Sequence, residues 1–464
     1  MLRIDTQVET EPKHDIDVLF VSERPLWPAD QGFRIHGPQM ARALVRRGLN
    51  VRMASLRPTP DKAPPWLRDM LVDWPASAPR DIQQFKSGIK GRFKNARKKV
   101  LRHQALDVRE LAGVIGLVEE LRPKVVIGLG QHAPVMLRGL RGTRVGEHDL
   151  MRLWYAADEP VSFQLSCLRR DPVRLWKQRL RLVGMYGMLE RLFATELDGA
   201  IGVSPRESQR LRYIGGMKNA VTIRNGVDLD YFTPRPRMPK SRSLIFWGNM
   251  SFEPNVDAVC WFANHVWPTL QQQYRGATWK IVGSNPCAAV QELNGIHGID
   301  VLGQVSDIRP HAREASAVIL PMRCGHGIKN KLLEAAAMGL PILVSKRAVQ
   351  GLAGVHGAVH ICRGVEEWVN AVGRAWEDHS SAASLGWRGR KWVELSHDWA
   401  VAAEQLLDHM EVVRKRTDKK FAPLGERAAT DLSIVGGDAA WPMPAAAWTD
   451  DDENTDAPVQ RKAA

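Results

Sequence analysis

The sequence predicts an α/β fold with two doubly wound domains, each built on a parallel sheet. Short apolar runs alternate with amphipathic stretches along most of the chain, and this is the pattern of strands alternating with helices. The alternation stops once, in a proline-rich basic stretch, and then restarts. A length of 464 residues with 44% hydrophobic and 25% charged residues is ordinary globular usage for two domains.

The first domain is predicted over residues 15–232, after a flexible N-terminus at 1–14. Its first strand covers Ile16 to Ser22, and a loop with Gly32 and a helix from Pro38 to Arg47 follow. The other predicted strands of this domain are Val51 to Ser55, Lys124 to Leu129, Val145 to Glu147 and Gly199 to Val203. Most of these runs are mainly apolar, as expected of strands buried on both faces.

The second domain is predicted over residues 244–396. The linker before it, residues 233–243, holds three prolines and four basic residues. The predicted strands beyond it are Ser243 to Trp247, Thr278 to Val282, Val301 to Gly303, Ala317 to Leu320 and Pro341 to Val344. We expect a helix at 397–414 to complete the first domain. The tail at 415–464 is predicted to be disordered, since its charges are clustered and it has little periodicity.

Composition narrows the class of partner. The net charge of +14 favours an anionic partner, which leaves a phosphate-bearing ligand, an acidic membrane surface or nucleic acid. A disulfide framework and a zinc site are not expected, because the five cysteines are scattered and none forms a Cys-x-x-Cys pair. No run approaches 18 apolar residues and the first fifteen residues lack an apolar signal core, so we expect a cytoplasmic protein.

The segment Lys86–Arg102 holds eight cations, with Ile89, Phe93 and Val100 among apolar residues at helical spacing. It predicts a basic amphipathic helix that could attach reversibly to an anionic membrane face. An ordinary helix with a solvated basic face explains the same pattern equally well. Nucleic acid is not expected, since no nucleic-acid-binding motif accompanies the charge.

The segment Leu320–Ser345 is the richest candidate site. It predicts a strand end, a loop with Gly325 and Gly327, and a helix from about Lys329 to Met338. A helix start binds phosphate through its amides and dipole, but the dipole supplies only ~1–2 kcal/mol, whereas a micromolar to millimolar ligand needs about 4–8 kcal/mol. Cations must supply the rest, and Lys329 and Lys331 in the first turn indicate a diphosphate.

Several motifs occur in order within residues 15–412: Ser204-Pro205, Ile223 to Asp228, Phe246 to Met250, Pro254-Asn255, Ile281 to Ser284 and Leu332 to Pro341. Together they resemble the motifs of family 4 glycosyltransferases, which have the two-domain GT-B fold. The bacterial branch that assembles surface polysaccharides is the most similar.

The resemblance implies roles for individual residues of the predicted helix and loop. The family has two glutamates with seven residues between them, of which the second binds the donor ribose and the first lies near the donor sugar. Glu334 matches the second, and His326 stands at the position of the first. The family's cations after Gly248 are absent from residues 249–259, and Lys329 and Lys331 are expected to replace them.

The remaining site residues follow from the same resemblance. Gly32 corresponds to the glycine loop that approaches the diphosphate, and His148 to an active-site histidine at a strand end; His132 is its rival. Together with His326 and Lys331, His148 forms the expected catalytic set. The expected donor-binding residues are Gly32, Gly248, Asn249, Gly327, Ile328, Lys329, Asn330 and Glu334.

The resemblance implies transfer of a hexosyl or pentosyl group from a nucleotide sugar, with retention, to a surface-polysaccharide or lipid-linked acceptor. We expect no cofactor and no metal, because lysines and helix amides can stabilise the leaving diphosphate. The enzyme would work at the cytoplasmic membrane face. Two alternatives remain at this stage: a nucleotide-sugar 2-epimerase of the same fold, and an inactive binding or scaffold protein.

Overall fold

The protein is described here from a computed structural model. The model describes residues 16–27, 32–60, 63–75, 113–130, 132–156, 161, 164–165, 168, 173–193, 196–234, 239, 241–325 and 328–424. The predicted basic helix Lys86–Arg102, residues 1–15 and residues 425–464 lie outside these ranges.

The first sheet has six parallel strands in the order β2-β1-β3-β6-β7-β8. The central strand β1 pairs in register with β2 and β3, with Val18 opposite both Val51 and Val125. The strands are β1 Val18–Ser22, β2 Val51–Ser55, β3 Val125–Leu129, β6 Met151–Tyr155, β7 Gly199–Gly202 and β8 Ala220–Thr222.

Helices connect these parallel strands. The described ones are α1 Gly32–Arg46, α2 Pro65–Arg68, α3 Gly113–Leu121, α4 Ala133–Arg138, α5 Val173–Phe193 and α6 Pro205–Tyr213. The start of α6 shows how local sequence sets a boundary. Pro205 occupies the first turn, and Ser204 and Glu207 form a capping box that pairs amides the helix itself cannot pair.

The second sheet repeats this plan with six parallel strands in the order β11-β10-β9-β12-β13-β14. The strands are β9 Ser243–Trp247, β10 Thr278–Val282, β11 Ile299–Gly303, β12 Ala317–Leu320, β13 Ile342–Ser345 and β14 His360–Cys362. The predicted class, α/β with two doubly wound parallel sheets, is confirmed.

The helices of the second half lie between and after these strands. They are α7 Glu253–His265, α8 Trp267–Gln273, α9 Ala288–Gln291, α10 Ile308–Glu314, α11 Asn330–Ala337, α12 Val365–Glu377, α13 His379–Ser396 and α14 Trp399–Arg416. Gly339, with φ +64°, follows α11 and ends it, since this backbone conformation favours glycine. No helix in the described ranges is long and apolar enough to cross a membrane.

The first sheet is covered on both faces. Along β1, Val18 and Phe20 belong to one core cluster, whereas Leu19 and Val21 belong to another. Successive side chains of a strand point to opposite faces, so an uninterrupted apolar run is what two covered faces require. The second sheet has one continuous core.

Helix α14 returns to the first domain. Leu406 and Met410 of α14 are buried in the same cluster as Val18 and Phe20 of β1. The ordered structure also continues past residue 415, where the sequence predicts a tail: Phe421 is buried in that cluster, and the Asp149 amide donates to the Lys420 carbonyl. The predicted disorder is therefore wrong for residues 415–424, because Phe421 anchors them.

One predicted strand is wrong. Residues 145–147 do not join the first sheet; β4 Arg144–Val145 and β5 His148–Asp149 form a separate two-stranded hairpin. The strand that joins the sheet is β6, which follows directly, and its residues are all buried. Three strands, β6, β8 and β14, are absent from the sequence prediction. Arg152 interrupts the apolar run of β6, and β8 and β14 have three residues each, which is too few to show a periodicity.

Candidate functional site

Each sheet has a point where the strand order reverses. In the first sheet β1 lies between β2 and β3, and in the second β9 lies between β10 and β12. In open α/β sheets, ligands bind beside the carboxyl ends of the strands at this switch point. In the second domain the switch point brings the segment after Trp247 beside the segment after Leu320.

Gly248 follows β9 and approaches other groups so closely that a side chain would not fit. Its φ is +149°, and a Cβ placed on it would lie 2.7 Å from Lys331 Nζ and 2.8 Å from Asn255 Nδ2. Gly283 is equally intolerant of a side chain, since a Cβ added to it would collide with the carbonyl of Gly248. Glycines at these two positions allow the backbone and the Lys331 ammonium to meet.

Lys331, in the first turn of α11, is held against the end of β9. Its Nζ donates a 2.8 Å hydrogen bond to Asn255 Oδ1 and lies 4.2 Å from the centre of the Phe246 ring. Burial, together with the nearby Lys329 ammonium, lowers the pKa of Lys331 to about 7, although Glu334 acts in the opposite direction. The side chain is partly buried. It is a cation whose charge an anion would stabilise.

Glu334 lies one turn further along α11. Its Oε2 accepts a 2.8 Å hydrogen bond from Trp247 Nε1, at the last residue of β9. Burial raises the pKa of Glu334, while the Trp247 hydrogen bond and the Lys331 charge lower it. The carboxylate therefore has a fixed orientation, with Oε1 available to a ligand hydroxyl in the same cleft.

The start of α11 also contacts the first domain. Asn330 Oδ1 accepts a 3.1 Å hydrogen bond from Asn225 Nδ2 and lies 3.4 Å from His36 Nε2. Lys329, the residue before Asn330, does not cap the helix with its side chain. His36 belongs to α1, the helix after β1, so the carboxyl edges of the two sheets meet here. A ligand at the amino end of α11 would lie between the two domains.

At the first sheet's carboxyl edge, a buried histidine and a buried glutamate form a pair. His132 Nδ1 lies 3.0 Å from Glu23 Oε1. Glu23 follows β1 and His132 follows β3, so the pair marks the switch point of this sheet. Neither Glu23 Oε2 nor His132 Nε2 has a hydrogen-bond partner among the residues that the structure describes.

His148 does not lie at this edge. It belongs to the hairpin strand β5, which precedes Met151, the first residue of β6. The carboxyl end of β6 is Tyr155, so His148 lies at the opposite edge of the sheet, beside the segment that contains Phe421. Its predicted position in the cleft is wrong because the strand was assigned to residues 145–147 instead of β6. His132, the other candidate, follows the carboxyl end of strand β3, which is where a strand-end histidine of the cleft is expected.

The other predicted residues divide into four groups. Lys329, Asn330, Lys331 and Glu334 come together at the start of α11, and Gly248 and Asn249 lie beside them after β9. Ile328 packs against the second core. Gly32 is the first residue of α1. His326 and Gly327 lie outside the described residues.

Three contributions were not assigned from the sequence. Asn255 joins the loop after β9 to α11, because its Nδ2 donates to the Asn249 carbonyl while its Oδ1 accepts from Lys331. Trp247 orients Glu334. Glu23 pairs with His132, and a polar residue directly after a buried strand was the one signal that could have indicated it.

This arrangement suits an anionic ligand with hydroxyl groups. The amino end of α11 presents amides and a partial positive charge, and Lys331 adds an ammonium in a partly dehydrated setting where electrostatic interactions are stronger than in water. Glu334 adds an oriented hydrogen-bond acceptor one turn away. A molecule that contains both a phosphate and a polyol would fit this arrangement. Its phosphate would bind Lys331 and the amides of α11, and its hydroxyl groups would bind Glu334.

The two facing doubly wound sheets, with this cleft between them, define a protein of the GT-B fold class. Residues 241–378 match the family model described as "Glycosyl transferases group 1". The chain therefore carries a group 1 glycosyltransferase domain, and this agrees with the enzyme class that the sequence predicts. The matched range contains β9, α11 and all the second-domain residues of the site.

Several solved structures share this architecture. A sucrose-phosphate synthase from Thermosynechococcus elongatus superposes with a TM-score of 0.60 at 17% identity, over 86% of this chain and 100% of that one. WaaG, described as a glycosyltransferase involved in lipopolysaccharide biosynthesis, gives 0.56 at 14% identity, over 86% and 100%. HepE from Anabaena in complex with UDP-glucose gives 0.55 at 14%, with the same coverage. No curated protein sequence matches this chain.

Proposed function

We propose that the protein is a family 4 glycosyltransferase of the surface-polysaccharide type. It moves a sugar from a nucleotide-sugar donor to a polysaccharide or lipid-linked acceptor, with retention of configuration and without a metal ion. One observation carries this proposal: the Lys331 ammonium is held at the amino end of α11 by its hydrogen bond to Asn255, with the oriented carboxylate of Glu334 one turn away.

The diphosphate of the donor would bind at Lys331, Lys329 and the first amides of α11. Lys331 occupies the space beside Gly248, and this supports the expectation that it replaces the cations that residues 249–259 lack. A lysine with its pKa near 7 gains charge when a diphosphate binds, since an anion favours the protonated form. HepE was solved with UDP and with UDP-glucose, which supports a nucleotide-sugar donor.

Glu334 would then hold the ribose hydroxyls. The donor's sugar would extend from the α11 start toward the first sheet, where His132 and Glu23 lie at the facing edge. During transfer, the bond between the sugar's anomeric carbon and the β-phosphate breaks, and negative charge develops on that phosphate. Lys331 and the α11 amides are positioned to stabilise this charge, so a divalent ion is not required.

Donor binding tests the proposal directly. UDP-, GDP-, ADP- and dTDP-sugars are screened for thermal stabilisation of the wild type, the Lys331→Ala variant and the Glu334→Ala variant. A donor at 100 times its dissociation constant stabilises by ~2.7 kcal/mol. We expect one donor to stabilise the wild type and to lose most of this effect in both variants, whereas Arg275→Ala, at an exposed position of the second domain, keeps it.

Activity is then measured with that donor, with and without EDTA. Transfer to a glycan acceptor that EDTA leaves unchanged supports the proposal. Conversion of the donor sugar to its epimer in the absence of any acceptor would instead identify an isomerase, and no stabilisation by any nucleotide sugar would refute the donor site. Membrane contact through Lys86–Arg102 stays a separate proposal, because that segment lies outside the described residues.

A further inference from the structure

A buried carboxylate at the carboxyl edge of the first sheet keeps one oxygen without a partner. Glu23, directly after β1, is 5% exposed, and its Oε1 lies 3.0 Å from Nδ1 of His132, which is 3% exposed. Neither Glu23 Oε2 nor His132 Nε2 has a hydrogen-bond partner among the residues that the structure describes. Arg24 Nε lies 3.9 Å from Oε1, beyond hydrogen-bond distance, on a side chain that is 48% exposed. The Oε2 atom is therefore an acceptor without a donor in the described ranges.

Other buried carboxylates of the first domain are paired at both oxygens. In Asp17, Oδ1 accepts from Lys124 Nζ at 2.8 Å and Oδ2 accepts from the Asn50 amide at 2.9 Å. In Glu190, the two oxygens accept from the Arg210 guanidinium at 2.7 and 3.1 Å. A buried acceptor without a partner costs free energy, so most buried carboxylates are satisfied within the protein. An unpaired oxygen at the ligand-binding edge of a sheet indicates a group that a ligand pairs.

The turn after β3 holds the Glu23 carboxylate against His132. Gly130 in this turn has a φ of +87°, and a Cβ on it would lie 3.1 Å from Glu23 Oε1 and 3.3 Å from Oε2. The Gly130 carbonyl accepts a 2.7 Å hydrogen bond from Trp154 Nε1. His132 lies directly before α4, and its carbonyl accepts from the Val135 amide at 2.9 Å. The pair is therefore held by fixed backbone on the β3 side.

The pairing decides which hydrogen-bonding atoms the two side chains have left. A carboxylate can only accept, so Nδ1 of His132 carries the proton of the 3.0 Å contact, and Nε2 of the neutral ring accepts as well. Two acceptors, one of them charged, suit a hydroxyl group, because a hydroxyl donates. An ionised carboxylate has no proton to donate and is repelled by Glu23, most strongly where water is excluded.

We propose that Glu23 is a specificity-determining residue of the cleft: with His132 it binds a hydroxyl of an uncharged sugar and rejects a sugar that carries a carboxylate. The inference rests on the proposed function, since the sugar is that of the nucleotide-sugar donor. The first sheet's carboxyl edge meets the start of α11, where Asn330 Oδ1 lies 3.4 Å from His36 Nε2. The diphosphate would meet the Lys331 ammonium in the second domain, whereas the sugar would meet a carboxylate in the first. The two sides of the cleft therefore select groups of opposite polarity.

Isothermal titration tests this role with three ligands that share the base of the donor: the nucleoside diphosphate, its neutral hexose conjugate and the matching uronate conjugate. For UDP-glucose as donor, the other two are UDP and UDP-glucuronate. We expect the wild type to bind the neutral conjugate at least about tenfold more tightly than the uronate. Glu23→Ala should lower affinity for the neutral conjugate about tenfold, because a charge-assisted hydrogen bond is lost, and should leave affinity for the nucleoside diphosphate unchanged.

An isosteric variant separates specificity from folding. Glu23→Gln keeps the shape of the side chain but places an amide that can donate where Oε2 accepts. We expect the preference for the neutral conjugate over the uronate to fall about tenfold, a change in a ratio that partial unfolding does not produce. Glu190→Gln is the matched control, since Glu190 is a buried glutamate in an ion pair of the same domain. It should keep the wild-type preference.

Three results would overturn the role of Glu23 while the proposed function stands. They are wild-type affinity of Glu23→Ala for the neutral conjugate, an equal loss of affinity for the nucleoside diphosphate, and uronate binding by the wild type that is as tight as hexose binding. A wild type that binds no nucleotide sugar gives a different result, because the donor site and the role of Glu23 then fail together.

Discussion

Trp247 Nε1 and Glu334 Oε2 are joined by a 2.8 Å hydrogen bond, which connects the last residue of the central strand β9 to the second turn of α11. The indole N–H can only donate and the carboxylate oxygen accepts. The bond therefore fixes the rotamer of a carboxylate that burial would otherwise disfavour. Two elements that are 87 residues apart in sequence are thus combined in one site.

Trp247→Phe removes this hydrogen bond but keeps an aromatic ring of similar shape. A hydrogen bond to a charged group contributes about 1.5–3 kcal/mol, so we expect donor affinity to fall about tenfold or more. Isothermal titration with the donor checks this. Trp279→Phe is the matched control, since Trp279 Nε1 is buried and has no hydrogen-bond partner in the described structure. Equal losses in both variants would contradict an orienting role for Trp247.

Donor affinity should weaken as the pH rises above about 7. The pKa of Lys331 is lowered to about 7 by burial and by Lys329, so the ammonium is fully charged only below that pH. A diphosphate binds the charged form and raises its pKa. Between the pKa of Lys331 in the free protein and its higher pKa in the complex, the dissociation constant of the donor should therefore increase about tenfold per pH unit.

The matched variant for this pH dependence is Lys331→Arg. An arginine stays charged throughout the accessible range, so the variant should bind the nucleotide sugar with little dependence on pH between about 7 and 9. A nucleotide sugar has no phosphate that titrates in this range, which makes it the suitable ligand. The same pH slope in wild type and Lys331→Arg would show that another group titrates.

Gly248→Ala should disrupt the donor site. Its Cβ would lie 2.7 Å from Lys331 Nζ and 2.8 Å from Asn255 Nδ2, so the 2.8 Å bond between these side chains must break or shift. We expect at least a tenfold loss of donor affinity and a destabilisation of about 1–3 kcal/mol. Gly276→Ala also has a positive φ, but has open space around the new Cβ, and should keep donor affinity.

Phe421→Ala should destabilise the first domain even though residue 421 lies within the segment that the sequence predicts as a disordered tail. Phe421 is buried with Met410 and Val413 of α14, and removal of a buried phenylalanine costs about 3 kcal/mol. Thermal unfolding followed by calorimetry measures the effect as a drop of several degrees. Phe252→Ala, at an exposed phenylalanine, is the control. An unchanged melting temperature for Phe421→Ala would mean that the segment does not contribute to folding.

Local sequence is enough to predict several strands to the residue. Val51 to Ser55, Ser243 to Trp247, Thr278 to Val282 and Ala317 to Leu320 are mainly apolar runs that turn residues end, even though Arg52 and Lys280 interrupt two of them. Strand β6 shows the limit. Its MRLWY contains Arg152, whose charge is paired with Asp198 only in the folded protein, and the sequence prediction placed the strand in the preceding hairpin instead.

The donor-site prediction at the start of α11 also comes from local pattern, since a strand end, glycines, a lysine pair and a helix follow each other in the chain. What the pattern could not supply is the partner of each side chain. The contact of Lys331 with Asn255 and Phe246, and that of Asn330 with Asn225 and His36, join segments that are far apart in sequence. A sequence pattern carries no information on which distant backbone will lie beside it.

The sequence by itself determined the fold class, the two-domain repeat and the helix start that faces the cleft, because these follow from hydrophobic periodicity and from glycines and prolines at boundaries. Tertiary structure alone decided which histidine lies at the cleft. His148 and His132 both follow segments that the sequence predicts as strands, but only packing of β6 beside β3 assigns His132 to the carboxyl edge and His148 to the hairpin. The order of strands in a sheet depends on which faces of strands and helices are buried against one another. This burial is a property of the whole folded chain.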